Sequence, residues 1–169
     1  MSNPGVLVID DDPAVREALD ETLGREGYTI LFAQDGREGL DRLRDDSPNL
    51  VILALRMPGV DGLEFLRRIS VKKTDPYSVI VLTAFGDDAT IKACYESGVA
   101  GLLRKPFNIT ELRASVYQAL RSKAVINQLQ STVSEWRRYS QVFRSLVEVA
   151  NGAFAWISGR GQFLYANEA

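Results

Sequence analysis

Apolar residues in this chain fall in short unbroken runs separated by stretches with helical spacing. Val6-Leu7-Val8-Ile9 stops at Asp10-Asp11-Asp12 and Pro13, after which Val15, Leu19 and Leu23 recur on one helical face. Asp12 suits an N-cap with Pro13 at the first helical position, and Gly27 suits the stop, so Asp10 and Asp11 are left without a capping role. Tyr28 to Ala33 predicts a second strand, and Asp35 to Asp45 a second helix with Leu40 and Leu43 inward. Leu50 to Leu53 predicts the third strand, in an apolar run that ends at Arg56-Met57-Pro58-Gly59-Val60-Asp61-Gly62. That turn cannot pass simply into a helix. A helix from about Gly62 to Ser70, a strand over Ser78 to Thr83, a helix over Asp87 to Ser97 and a strand over Ala100 to Leu103 complete the series.

Strands that alternate with helices at this spacing imply βαβ units, right-handed crossovers and a parallel sheet covered on both faces. In such sheets the functional site lies beyond the carboxyl ends of the strands, near the switch in strand order. Asp10, Asp11, Ala54, Thr83 and Lys105 fall there. From about Asn108 a helical pattern runs without a breaker to about Ala150. Ala119, Ser122, Ile126, Leu129, Val133, Trp136, Ser140, Phe143, Val147 and Ala150 follow the alternating 3-4 spacing of a two-stranded coiled-coil seam. Tyr139, Val142, Leu146 and Val149 form a second, late stripe. Ala153 to Ser158 and Phe163 to Tyr165, around Gly159-Arg160-Gly161-Gln162, predict a terminal hairpin, which does not hold itself together alone.

Composition narrows the chemistry. With 169 residues, 46% hydrophobic and 25% charged, the chain can bury one substantial core and begin a second. A net charge of −2 gives no basic footprint for nucleic acid and no polybasic membrane signal. No 18-residue apolar run and no signal-like N-terminus is visible, so a cytoplasmic location away from membranes is expected. The lone Cys94 excludes an internal disulfide or a cysteine-cluster metal site. The absence of histidine removes Ser/His triads, imidazole-held metals and phosphohistidine. Phosphate chemistry, if present, would fall to carboxylates and a hard cation.

Two adjacent acids at one strand end, a hydroxyl at another and a lysine at a third suit such a cation and a phosphoryl group. With the segments Val6 to Asp12, Met57 to Gly62, Leu82-Thr83-Ala84 and Lys105-Pro106-Phe107, residues 5–122 resemble the receiver (CheY-like) domain of two-component response regulators. The resemblance implies a flavodoxin-like α/β fold with strand order 2-1-3-4-5. It also implies transfer of a phosphoryl group from a histidine kinase or phosphotransfer protein onto an aspartate. By that resemblance Asp10, Asp11 and the Arg56 carbonyl would bind Mg²⁺, Thr83 would be the switch hydroxyl and Lys105 the pairing lysine, and Pro106 is where a cis bond would sit.

The chain departs from that pattern twice. The acceptor aspartate falls on Ala54, and the aromatic switch position, three residues before Lys105, is Leu102. Because every other site residue stands, Ala54 reads as a single replacement in an otherwise complete site, and the cation site is expected to be weak. The tail after about Leu146 resembles the opening of a PAS domain, through Trp156-Ile157, Gly159 to Gly161 and Leu164 to Ala169. The expected organisation is a receiver over 5–122, a helical linker over 123–150 that forms a homodimer through the 119–150 helix, and the start of a PAS domain over 151–169. The expected function is phosphorelay signalling without enzymatic activity, by a receiver that cannot itself be phosphorylated at Ala54. A phosphorylation-independent adaptor, in which the same fold supplies a dimer or docking surface, is the alternative.

Overall fold

The computed structural model describes residues 3–84 and 88–149 and the strand backbones of 155–157 and 163–166, with no side chains described beyond Ser145. Two compact units divide the chain, residues 1–127 and 128–169, and each is described by itself.

The first unit holds β1 (Gly5–Ile9), α1 (Pro13–Gly24), β2 (Thr29–Ala33), α2 (Gly36–Asp46), β3 (Leu50–Ala54), α3 (Gly62–Ile69), β4 (Ser78–Thr83), α4 (Asp88–Glu96) and β5 (Gly101–Arg104). The five strands form one parallel sheet in the order β2-β1-β3-β4-β5, the flavodoxin-like order expected from the sequence. α5 (Ile109–Val149) starts in this unit and continues into the second. In the second unit, β6 (Ala155–Ile157) and β7 (Phe163–Ala166) pair antiparallel as the expected hairpin, whose turn lies outside the described residues.

Strand alternation sorts the core into two faces. Leu7, Ile9, Val51, Leu53, Val79 and Val81 pack with Phe65, Leu66 and Cys94. Val6, Val8, Ile52, Ile80 and Leu82 face the other way, against Leu19 and Leu23 of α1 and Leu112, Val116 and Ala119 of α5. Leucine-sized side chains buried this completely contribute about 1.5–3 kcal/mol each. The first part of α5 is therefore a core element of the receiver unit.

Aspartates start three of the helices. Asp12 accepts from the Ala14 N–H, Asp35 from the Arg37 and Glu38 N–H groups, and Asp61 from the Glu64 N–H. The ends differ from the sequence reading in small ways. α1 stops at Gly24, and Gly27 instead takes a left-handed conformation (φ 86°) in the turn to β2. β3 extends to Ala54 because that residue still pairs with Leu82, and β5 reaches Arg104 because Arg104 pairs with Thr83. Asp87 and Ala150, the expected limits of two helices, lie outside the described residues.

Candidate functional site

The carboxyl ends of β1, β3, β4 and β5 meet along one edge of the sheet. At the end of β1, Asp10 is fully buried. Its Oδ1 accepts from the Asp12 N–H at 3.0 Å, and its Oδ2 receives the Lys105 ammonium at 2.5 Å. Lys105 reaches it from just after β5, 95 residues away in sequence. A charge-assisted contact of this length holds two loops together as well as neutralising a buried carboxylate. Asp11, next in sequence, is exposed to solvent.

Ala54 closes β3 between these elements, 2% exposed, with Leu53 in register with Ile9 and Ala54 with Leu82. Thr83 ends β4, equally buried, and its carbonyl accepts the Lys105 N–H at 2.7 Å. The Lys105–Pro106 bond is cis, at the place the resemblance implied. Arg56 lies exposed in the loop after β3. The structure thus brings Asp10 and Lys105 into contact, sets Ala54 and Thr83 on neighbouring strand ends, and leaves Asp11 and Arg56 in the loops that follow.

These residues suit a hard cation only in part. Mg²⁺ takes one or two carboxylates with water and phosphate oxygens, so Asp10, Asp11 and a backbone carbonyl are donors of the right kind. Among the described residues, however, no group of three or more acidic, cysteine or histidine side chains could hold a metal. Both Asp10 oxygens are already engaged. At the position where a third carboxylate would stand, the side chain is the methyl of Ala54.

Two supports escaped the sequence reading. Arg16 donates to the Asp10 carbonyl at 2.5 Å, anchoring the acidic loop from inside α1. Gly62 donates its N–H to the Leu55 carbonyl at 2.8 Å, and a Cβ there would lie 2.5 Å from the Ala54 carbonyl oxygen and 2.8 Å from the Leu55 Cα. Gly62 is thus the residue that lets α3 start directly against the end of β3. Its place after Pro58-Gly59 marked a turn, but no pattern in the sequence disclosed the close approach. Cys94 is buried in the core, and burial pushes its thiol above the ordinary range.

A five-stranded parallel sheet with this order, with Asp10 paired to Lys105 beyond its strand ends, defines a flavodoxin-like α/β module. The chain belongs to the response regulator receiver domain family, whose sequence profile matches residues 6–117. It is 39% identical over 118 residues to the transcriptional regulatory protein AfsQ1 of Streptomyces coelicolor, a match covering 70% of this chain and 52% of that protein. The chain therefore spans about half of that relative's length. It is 36% identical over 124 residues to sporulation initiation phosphotransferase F of Bacillus subtilis, covering 73% of this chain and 99% of that one. A receiver domain structure from Clostridium thermocellum superposes with a TM-score of 0.66 at 30% identity, over 73% of this chain and 98% of that one. Receiver domains act in two-component phosphorelays with histidine kinases or phosphotransfer proteins. Among the described residues no helix is long and apolar enough to cross a membrane.

Proposed function

We propose that this chain is the receiver module of a larger two-component protein, with its cleft built and its acceptor position occupied by Ala54, so that it takes no phosphoryl group there. The observation that carries the reading is the Lys105–Asp10 contact beside Ala54. The flanking machinery stands, and the one side chain that should form the aspartyl-phosphate cannot. In this reading Asp10, Asp11 and the Arg56 carbonyl hold Mg²⁺ weakly, and in an aspartate-bearing form Thr83 would donate to the phosphoryl oxygen and Lys105 would pair with it. The cation supplies neutralisation of phosphate charge when bound. Residues 123–150 are the linker, residues 151–169 the beginning of a PAS domain, and a histidine kinase or phosphotransfer protein is the partner of an aspartate-bearing form.

The linker joins two copies of the chain in this reading. The seam residues Leu129, Val133 and Trp136 are each at least half exposed along α5, which supports a seam that a second helix covers. A phosphorylation-independent adaptor is the second reading, favoured by Ala54 and by Leu102 at the aromatic switch position. Leu102 is half-buried against the core in place of a ring that could turn outward.

The cation site separates a complete cleft from a decayed one. Calorimetric titration with Mg²⁺ is expected to give an affinity about tenfold weaker for this chain than for Ala54→Asp, since one oxygen ligand is restored by that substitution. Equal affinities would mean that position 54 does not face the cation and would remove this reading of the site.

A further inference from the structure

A cavity of about 570 Å³ opens at the amino-terminal edge of the sheet. It is lined by Ser78 and Gly101, the first residues of β4 and β5, whereas Asp10 and Lys105 lie beyond the other ends of the strands. Lys72 and Lys73 from the loop before β4 and Lys123 from α5 also line it, together with Tyr77 and Tyr95. No carboxylate is among the described lining residues.

Lys123 is the unusual member. It is 6% exposed, and its ammonium donates to the Lys73 carbonyl at 2.9 Å. Lysines this deep are ordinarily paired with an acid. The carboxylate that acts on Lys123 is Asp75, which already accepts from the Lys72 N–H at 2.7 Å and from the Tyr77 hydroxyl. Burial pushes the Lys123 ammonium below the ordinary lysine value, with Asp75 opposing. Burial, then Asp75, pushes the Tyr77 hydroxyl up to about 12, so that it stays a neutral donor.

We infer that this cavity binds a small organic anion with an aromatic body, its head on Lys123 and its body against Tyr95 and Leu102. The volume is that of a small-ligand site, and the wall sets lysines beside apolar and aromatic side chains such as Tyr77, Tyr95 and Leu102. An anionic head gives the buried ammonium the partner that Asp75 supplies only in part. The occupant touches Leu102 on β5 and the stretch of α5 that leaves the core. Drawing Lys123 off the Lys73 carbonyl would loosen the tie between α5 and the loop before β4. Occupancy thus acts on the connector helix without any phosphoryl group, and it does not depend on the acceptor position.

The test is a titration of the isotope-labelled full chain with phenyl phosphate, followed by amide chemical shifts, with inorganic phosphate and phenol as reference probes. The amides of Ser78, Gly101, Leu102 and Ser122 are expected to shift and saturate. Lys123→Met is expected to weaken binding about tenfold or more, the size of a lost charge-assisted contact. Lys92→Met, which removes a surface lysine paired with Glu96 outside the cavity, should leave it unchanged. Inorganic phosphate and phenol should each bind at least about tenfold more weakly, because each carries half of the contacts. Should Lys123→Met not fold, Ser115→Phe fills the cavity from the α5 surface and should abolish the shifts. Shifts that do not saturate, that survive these variants, or that gather on Asp10, Asp11 and Lys105 overturn the site, as does equal binding of inorganic phosphate.

Discussion

Gly62→Ala is expected to lower the unfolding free energy by about 2–3 kcal/mol, the upper range for forcing atoms into a packed interior. The added methyl would stand 2.5 Å from the Ala54 carbonyl oxygen and 2.8 Å from the Leu55 Cα, both backbone atoms. A flexible side chain could swing aside; a central strand can move only by shifting its ladders to β1 and β4. Gly24→Ala is the control. A methyl there meets nothing nearer than Asp20 Oδ1 at 3.9 Å, and in a helix the exchange gains up to about 1 kcal/mol. Urea unfolding of the two variants should therefore move in opposite directions. Similar small effects from both would mean that α3 does not start against β3 as closely as described.

The double variant Val133→Glu/Trp136→Glu is expected to convert a dimer into a monomer, with the dimer dissociation constant rising about a hundredfold or more. Val133 is 50% and Trp136 70% exposed, so neither substitution disturbs a core within the single chain. In a two-stranded seam each would be buried, and every fully covered side chain of this kind is worth about 1.5–3 kcal/mol. Four buried carboxylates facing one another add repulsion to that loss. Equilibrium sedimentation at several concentrations reads the change. A parent chain that is already monomeric, or a variant that dimerises as well as its parent, would remove the homodimer and leave α5 as a single-stranded connector.

Most of the fold was legible because a doubly covered parallel sheet writes its strands as unbroken apolar runs. Val6 to Ile9, Leu50 to Ala54 and Ser78 to Thr83 are buried nearly throughout, and their shortness and their β-branched residues set them apart from a buried helix. Strand ends were less legible, since Ala54 and Arg104 are held by cross-strand pairing that no local signal announces. The site was legible as a set of residue types at strand ends. Its internal wiring was not, because the Lys105–Asp10 and Arg16–Asp10 contacts depend on how loops fold back in space. The buried Lys123 was hidden for a related reason: its position on α5 matches a solvated coiled-coil flank, and its tie to the Lys73 carbonyl, 50 residues away, has no local signal. The long α5 shows the converse, a pattern read correctly as one helix from about Asn108 although its two parts belong to different units.

In the proposed reading the cleft keeps Asp10, Asp11, Thr83 and Lys105 and lacks the aspartate that would carry the phosphoryl group. Intact mass after incubation with a small acyl phosphate and Mg²⁺, on this chain and on Ala54→Asp side by side, decides whether that is so. The expected result is an unmodified parent and one phosphoryl group on Ala54→Asp, absent when Mg²⁺ is withheld from the reaction. An Ala54→Asp chain that stays unmodified under the same conditions, or a parent that acquires a phosphoryl group, would contradict it.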